Sequence, residues 1–262
     1  MAQQLSSTNI THLVFDIDDT LYPVTNGFTT HRNYEVACQY MVDKCGFKNI
    51  DDAREFRNVY FEKYHSTIKA LTVASEEGAL PPNEDGSPRM FDAGDLAKYW
   101  VTGCKFEEIL EVNDDLIKAL RSLKASSPVK LCIFSNGPRA YCCKVLETLK
   151  VREFFEDENI YGVDDVMPVC KPEPAAFRKV LKGIGCDDPT KAVMFEDSMK
   201  NVRAAKGIGM KTVLVMVDPS LHDVGDVPSA DDPNVDVVMS SISQMREKVG
   251  CLWRGEWDVD AK

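Results

Sequence analysis

The stretch Leu13-Val14-Phe15-Asp16-Ile17-Asp18-Asp19-Thr20-Leu21-Tyr22 constrains this chain more than any other. An apolar run ends abruptly in three carboxylates and a hydroxyl. Leu13, Val14, Phe15 and Ile17 predict a strand buried on both faces, the pattern of a parallel sheet. Such a strand delivers Asp16 and Asp18 at its C-terminal end, where open α/β sheets bind ligands. Two carboxylates so close raise one another's pKa unless a cation sits between them. Mg²⁺, a hard ion that takes oxygen ligands, is the simplest remedy. The competing reading is an acidic turn after a core strand, with Asp19 or Thr20 capping a helix.

The pattern then changes. Pro23 and Gly27 mark a turn out of the core. Residues 29 to about 75 read as helical. One stripe runs through Tyr34, Cys38, Met41, Val42 and Cys45 to a stop at Gly46, and a second through Phe56, Val59, Tyr60, Tyr64, Ile68 and Leu71. Gly78 to Gly94 reads as a loop, and Tyr99 to Leu110 returns through Trp100, Val101, Phe106 and Ile109. Helix-period segments that interrupt a strand-rich pattern predict a helical insertion over residues 25–112. The flanking segments, 1–24 and 113–262, then form one α/β unit.

From Asn113, a predicted helix cap, strands and helices alternate. Val129 to Phe134, Asn159 to Gly162, Ala192 to Phe195, Thr212 to Val217 and Val235 to Met239 read as strands. Helices are expected between them: one ends at Leu149, one covers Glu173 to Ile184, and one passes Val202, Ala204 and Ala205. A last helix spans Ile242 to Val249. Gly225 to Pro233 reads as a surface loop, and Trp253 and Trp257 as covers for a core edge. This rhythm implies right-handed crossovers and a doubly wound parallel sheet with helices on both faces.

In such a sheet the C-terminal strand ends share one edge, so residues far apart in sequence converge. Asp16 and Asp18 with Glu196 and Asp197 make an oxygen-rich metal site. Ser135, Asn136 and Lys171 make an anion site beside it. Metal, anion site and carboxylate together suit phosphoryl transfer, where positioning and charge neutralisation do most of the work. Taken singly, each piece has a plainer reading: a solvated lysine, a Ser-Asn turn, or helix N-terminal charge at Glu196-Asp197. Tyr64, His65 and Lys69 in the insertion could face a substrate, but packed or solvated roles fit them better.

Asp16-Ile17-Asp18-Asp19-Thr20-Leu21 resembles the first signature of haloacid-dehalogenase-superfamily phosphatases. Ser135-Asn136 resembles their second, Lys171-Pro172 their third and Glu196-Asp197-Ser198 their fourth. All four occur in order. The resemblance implies a Rossmann-like core with a small helical cap. It implies Asp16 as nucleophile, Asp18 as general acid and base, and Lys171 as the catalytic lysine. Phosphate would be held by Asp19, Thr20, Ser135, Asn136 and Lys171. Mg²⁺ would be held by Asp16, Glu196, Asp197 and the backbone carbonyl of Asp18. Phe15 to Pro23, Lys63-Tyr64-His65, Ala70-Leu71, Val169 to Pro172 and Ser198 to Val202 are similar to the pyrimidine 5′-nucleotidase branch. That likeness implies a nucleoside 5′-monophosphate as substrate. A sugar phosphate, flavin mononucleotide or lysophosphatidate remains the alternative, as does a non-catalytic regulator built on the same fold.

Composition narrows the partners. Lys and Arg total 31 against 42 Asp and Glu, a formal charge of −11, which disfavours nucleic-acid polymers and anionic membranes. The expected partner is a small soluble phosphate ester. Met1 to Asn9 shows no secretory or transit pattern. Nine cysteines without paired spacing predict free thiols in a reducing, cytoplasmic setting and no structural zinc. Oligomeric state is left open.

Overall fold

The computed structural model describes residues 8–216 and 227–259. The expectations for Met1 to Ser7, for Val217, and for the first residues of the Gly225–Pro233 loop lie outside the described residues. The strands are β1 (Thr8–Asn9), β2 (His12–Phe15), β3 (Lys130–Phe134), β4 (Ile160–Tyr161), β5 (Ala192–Glu196), β6 (Lys211–Val215), β7 (Val237–Met239) and β8 (Glu256–Trp257). Six of them form one sheet in the order β4-β3-β2-β5-β6-β7, every neighbouring pair parallel. β2 lies in the middle, with Phe15 opposite Ile133 on one side and Phe195 on the other.

Both faces of the sheet are covered, as the unbroken apolar runs require. Leu13, Phe15, Leu131, Ile133, Val193 and Phe195 enter the larger core. Their chain neighbours Val14, Cys132, Phe134 and Met194 enter a second core on the opposite face. Helix Arg139–Thr148 buries Tyr141, Cys142, Val145 and Leu146 in the first. Helix Pro174–Gly183 buries Ala176, Phe177, Val180 and Leu181 in the second. Pro174 occupies its first turn, where a missing N–H costs nothing. Asn113 caps helix Asp114–Ser126 by accepting from the Asp115 and Leu116 N–H groups. The fold is thus the doubly wound α/β architecture read from the sequence.

Among the described residues, no strand lies between β2 and β3. Helical elements fill that span: Phe28–Thr30, a π-helical turn His31–Val36, Ala37–Cys45, Ile50–Tyr64, Thr67–Glu76, Ala93–Gly103 and Phe106–Ile109. The second apolar stripe does not belong to one helix. His65 takes a left-handed conformation (φ 54°), ends helix Ile50–Tyr64, and Ser66 starts the next. Val59, expected in that stripe, is 51% exposed. The last predicted helix is a 3₁₀ turn, Ile242–Gln244, followed by Met245–Lys248. The antiparallel pair β1–β8 had no counterpart in the sequence reading. Trp253 and Trp257 are buried in the larger core, and the Trp253 indole N–H donates to Ser122. All nine cysteines are free. No helix of the described residues is long and apolar enough to cross a membrane.

Candidate active site

A cavity of about 230 Å³ opens at the C-terminal edge of β2 and β5. Its core side carries Asp16, Asp18, Asp19, Asn136, Lys171, Glu196 and Asp197. The helical segment faces them with Arg32, Arg57, Phe61 and His65 among others.

Asp16 follows β2 directly, and its N–H donates to the Phe195 carbonyl at 3.0 Å. Lys171 is 1% exposed. Its ammonium bridges two carboxylates, Asp16 Oδ1 at 2.7 Å and Glu196 Oε2 at 2.8 Å. Asp16, Glu196 and Asp197 each place a carboxylate oxygen within 4.8 Å of the others. Burial first, then repulsion from Glu196, pushes Asp16 up to about 8 despite Lys171. Burial, with Glu196, Asp19 and Asp16 adding to it, raises Asp197 well above the usual carboxylate range. Burial opposes the Lys171 charge, yet Asp16 and Glu196 hold it protonated far above neutrality. One lysine does not balance this set, and its donors are all carboxylate oxygens, so the residues fit a hard divalent cation.

The Asp18 carboxylate is not in that cluster. It turns to the helical side, where Arg32 pairs with Oδ2. The Tyr22 and Tyr141 hydroxyls donate to Oδ1 at 2.6 and 2.5 Å. Burial alone would raise its pKa, but Arg32 and these hydrogen bonds win and hold it below the ordinary carboxylate value. Arg32 is itself stacked on Tyr141 and Trp100, with ring centroids 4.8 and 5.2 Å from the guanidinium carbon. Gly137 lets Tyr141 come close: a β-carbon there would stand 2.7 Å from the Tyr141 ring.

The expected phosphate ligands are placed differently from one another. Asp19 lines the cavity in a left-handed conformation (φ 59°), its carboxylate accepting from the Thr29 hydroxyl at 2.9 Å. Thr20 is buried; its N–H donates to the Ile17 carbonyl and its hydroxyl to Asp197 at 3.5 Å. Ser135 is fully buried at the end of β3, and its hydroxyl accepts from the Gly137 N–H at 3.0 Å. Neither Ser135 nor Thr20 is among the residues lining the cavity. Asn136 does line it, but its amide binds backbone: it accepts from the Lys171 N–H and donates to the carbonyls of Lys171 and His65.

Sequence reasoning missed Arg32, Arg57, Tyr22 and Tyr141. Tyr22 was inside the first motif, and its spacing of four from Asp18 was the available signal. The other three carry none, because buried arginines and core tyrosines look like any others in sequence. Of the three uncertain residues in the insertion, His65 lines the cavity, whereas Lys69 pairs with Glu173.

The family model for haloacid dehalogenase-like hydrolases matches residues 10–209. The chain belongs to that family. Phosphate metabolism protein 8 of Saccharomyces cerevisiae is 22% identical over 227 residues, 84% of this chain and 66% of that protein. The phosphorylated carbohydrates phosphatase of Thermotoga maritima is 32% identical over 118 residues, 45% of this chain and 52% of that protein. The chain therefore spans less than two thirds of the length of either curated relative. Among solved structures, CbbY from Rhodobacter sphaeroides in complex with phosphate superimposes with a TM-score of 0.59 at 18% identity. That match covers 90% of this chain and 96% of the other. At that identity the likeness establishes the shared hydrolase fold alone.

Proposed function

We propose that this hydrolase cleaves a small phosphomonoester through an aspartyl-phosphate on Asp16. The observation that carries the reading is the buried Lys171 bridging Asp16 and Glu196, with Asp197 beside them. Asp16 attacks phosphorus, the bond from phosphorus to the leaving oxygen breaks, and Asp18 gives that oxygen a proton. Asp18 then takes a proton from the water that hydrolyses the acyl phosphate. The donors around Asp18 favour its ionised form in the free protein; that form takes the proton from water in the second step, and the proton so gained is the one Asp18 gives to the leaving oxygen of the next ester. Lys171 and the Asp19 backbone N–H are the groups we assign to the phosphate oxygens. Mg²⁺ held by Asp16, Glu196, Asp197 and the Asp18 carbonyl would supply charge neutralisation between nucleophile and phosphate.

Residues 25–112 act in this reading as a cap on a core of 1–24 and 113–262. A cavity of about 230 Å³ beneath helices suits a small ester and excludes polymers. A nucleoside 5′-monophosphate, pyrimidine before purine, is the substrate we favour, on the strength of the Lys63-Tyr64-His65 and Ser198 to Val202 stretches. The name of the Thermotoga maritima relative keeps a sugar phosphate as the second reading. Free, buried thiols support a reducing cytoplasmic setting.

Phosphate release from UMP, CMP, AMP, FMN and sugar phosphates tests the proposal. Release should require Mg²⁺, stop with EDTA and return when the metal is restored. Asp16→Asn should lower turnover by about 10⁴-fold or more and leave the circular dichroism spectrum unchanged. Metal-independent release, or an active Asp16→Asn enzyme, would overturn it.

A further inference from the structure

The corner between helices Ile50–Tyr64 and Thr67–Glu76 is fastened to the loop that carries Lys171, and Asn136 makes the joint. Its amide oxygen accepts from the Lys171 N–H at 3.0 Å. Its amide nitrogen donates to the carbonyls of Lys171 at 2.8 Å and His65 at 3.0 Å. The Asn136 carbonyl in turn accepts from the Ser66 hydroxyl at 3.2 Å. Lys69 pairs with Glu173, and the Cys170 thiol donates to the Tyr64 carbonyl. The corner and the catalytic loop are thus held as one piece.

His65 sits at the apex with φ 54°, a conformation that a β-carbon disfavours and that glycine adopts freely. The joint holds the His65 carbonyl in place. His65 lines the same cavity as Asp16, its ring edge-on to Phe61 at 6.5 Å. Its nitrogens hydrogen-bond to no described residue. Burial, with Lys200 and Lys69 nearby, lowers its pKa from the ordinary 6.5. At neutral pH the ring therefore offers one donor and one acceptor.

We propose that His65 is a specificity-determining residue whose ring hydrogen-bonds an uncharged, hydroxyl- or carbonyl-bearing leaving group, at a distance from Asp16 fixed by Asn136. The inference rests on the phosphomonoesterase reading above. A nucleoside and a free sugar both present such groups, whereas a nitrophenyl ring does not present them in the same place.

The test compares kcat and KM for UMP, ribose 5-phosphate and p-nitrophenyl phosphate in the wild-type protein and in His65→Gly. Glycine relaxes the backbone while removing the ring, so Tm should hold and lost activity cannot come from strain. The ratio of kcat/KM for UMP to that for p-nitrophenyl phosphate should fall about tenfold, mostly through KM, as expected for one lost hydrogen bond. An equal fall for ribose 5-phosphate assigns the contact to the sugar; a fall for UMP alone assigns it to the base. Asn136→Asp keeps the acceptor for the Lys171 N–H, loses both donated bonds, and should shift the same ratio. Equal losses on all three substrates, or no loss, would overturn the role of His65. An unchanged ratio in Asn136→Asp would overturn the joint. A wild-type protein that releases phosphate from no ester at all would overturn the phosphatase reading and this inference with it.

Discussion

Asp16 and Asp18 leave the same strand, yet the two sides of the cavity treat them in opposite ways. On the core side, burial and Glu196 push Asp16 up to about 8, and Lys171 is shared between both acids. Around Asp18, Arg32 of the helical segment meets Tyr22 and Tyr141 of the core, and together they hold it low. A strand end supplies the carboxylates; their neighbours decide which one needs a cation and which one is already balanced. The core side is built to accept more positive charge, and the helical side brings its own.

That contrast can be broken by removing each cation in turn. Lys171→Ala leaves Asp16 and Glu196 buried without their partner, and should cost about 3–5 kcal/mol in denaturant unfolding. Arg32→Ala should cost a similar amount through Asp18. The two should then part: Mg²⁺ should restore part of the loss in Lys171→Ala, because a bound ion stabilises the folded state that holds it. In Arg32→Ala the carboxylate cluster is intact, so Mg²⁺ should stabilise that variant no more than it does the wild type and leave its deficit against wild type unchanged. Recovery of both, or of neither, would erase the distinction.

A smaller change sharpens the surroundings of Asp18 alone. Tyr141→Phe removes one hydrogen bond to a charged carboxylate and should cost about 1.5–3 kcal/mol at neutral pH. Asp18 has a lowered folded-state pKa. Its stabilisation is therefore full above the unfolded value of about 3.9 and is lost as pH falls through the folded value. The Tyr141→Phe deficit should shrink in acid; a deficit independent of pH would mean that the hydroxyl acts through packing.

The smallest effect belongs to the other end of β2. His12 is buried, its Nε2 lies 3.1 Å from the Ile184 carbonyl, and burial lowers its pKa. The unfolded chain therefore binds the proton first. Stability should be complete above the unfolded value of about 6.5 and fall as pH drops below it. His12→Gln should flatten that slope, by less than about 1 kcal/mol, between pH values of roughly 6.5 and 5.

How much of this was legible follows from where the signals lie. Unbroken apolar runs mark β2, β3 and β5, and polar groups mark the ends of β2 and β5 and the loop at Lys171, so the convergence of Asp16, Lys171, Glu196 and Asp197 is legible in the sequence. The helical wall is not. Arg32 is 8% exposed and Arg57 2%, but arginine in a sequence reads as surface. The break at His65 uses a left-handed residue other than glycine, so no turn residue announces it and the apolar stripe appears continuous. A Ser-Asn pair in a sequence shows nothing of what its amide will meet, so the bonds of Asn136 to Lys171 and His65 carry no signal there. The pair Thr8–Asn9 and Glu256–Trp257 is too short to show a period and too distant in sequence to suggest a pairing.

The most direct test of the central claim is the mass of the protein after acid quenching during turnover of a cleaved ester with Mg²⁺. The account predicts one added phosphoryl group on the peptide that contains Asp16 in the wild-type protein, and none in Asp16→Asn. Steady release of phosphate with an unmodified Asp16 peptide, or with the phosphoryl group on another residue, would contradict it.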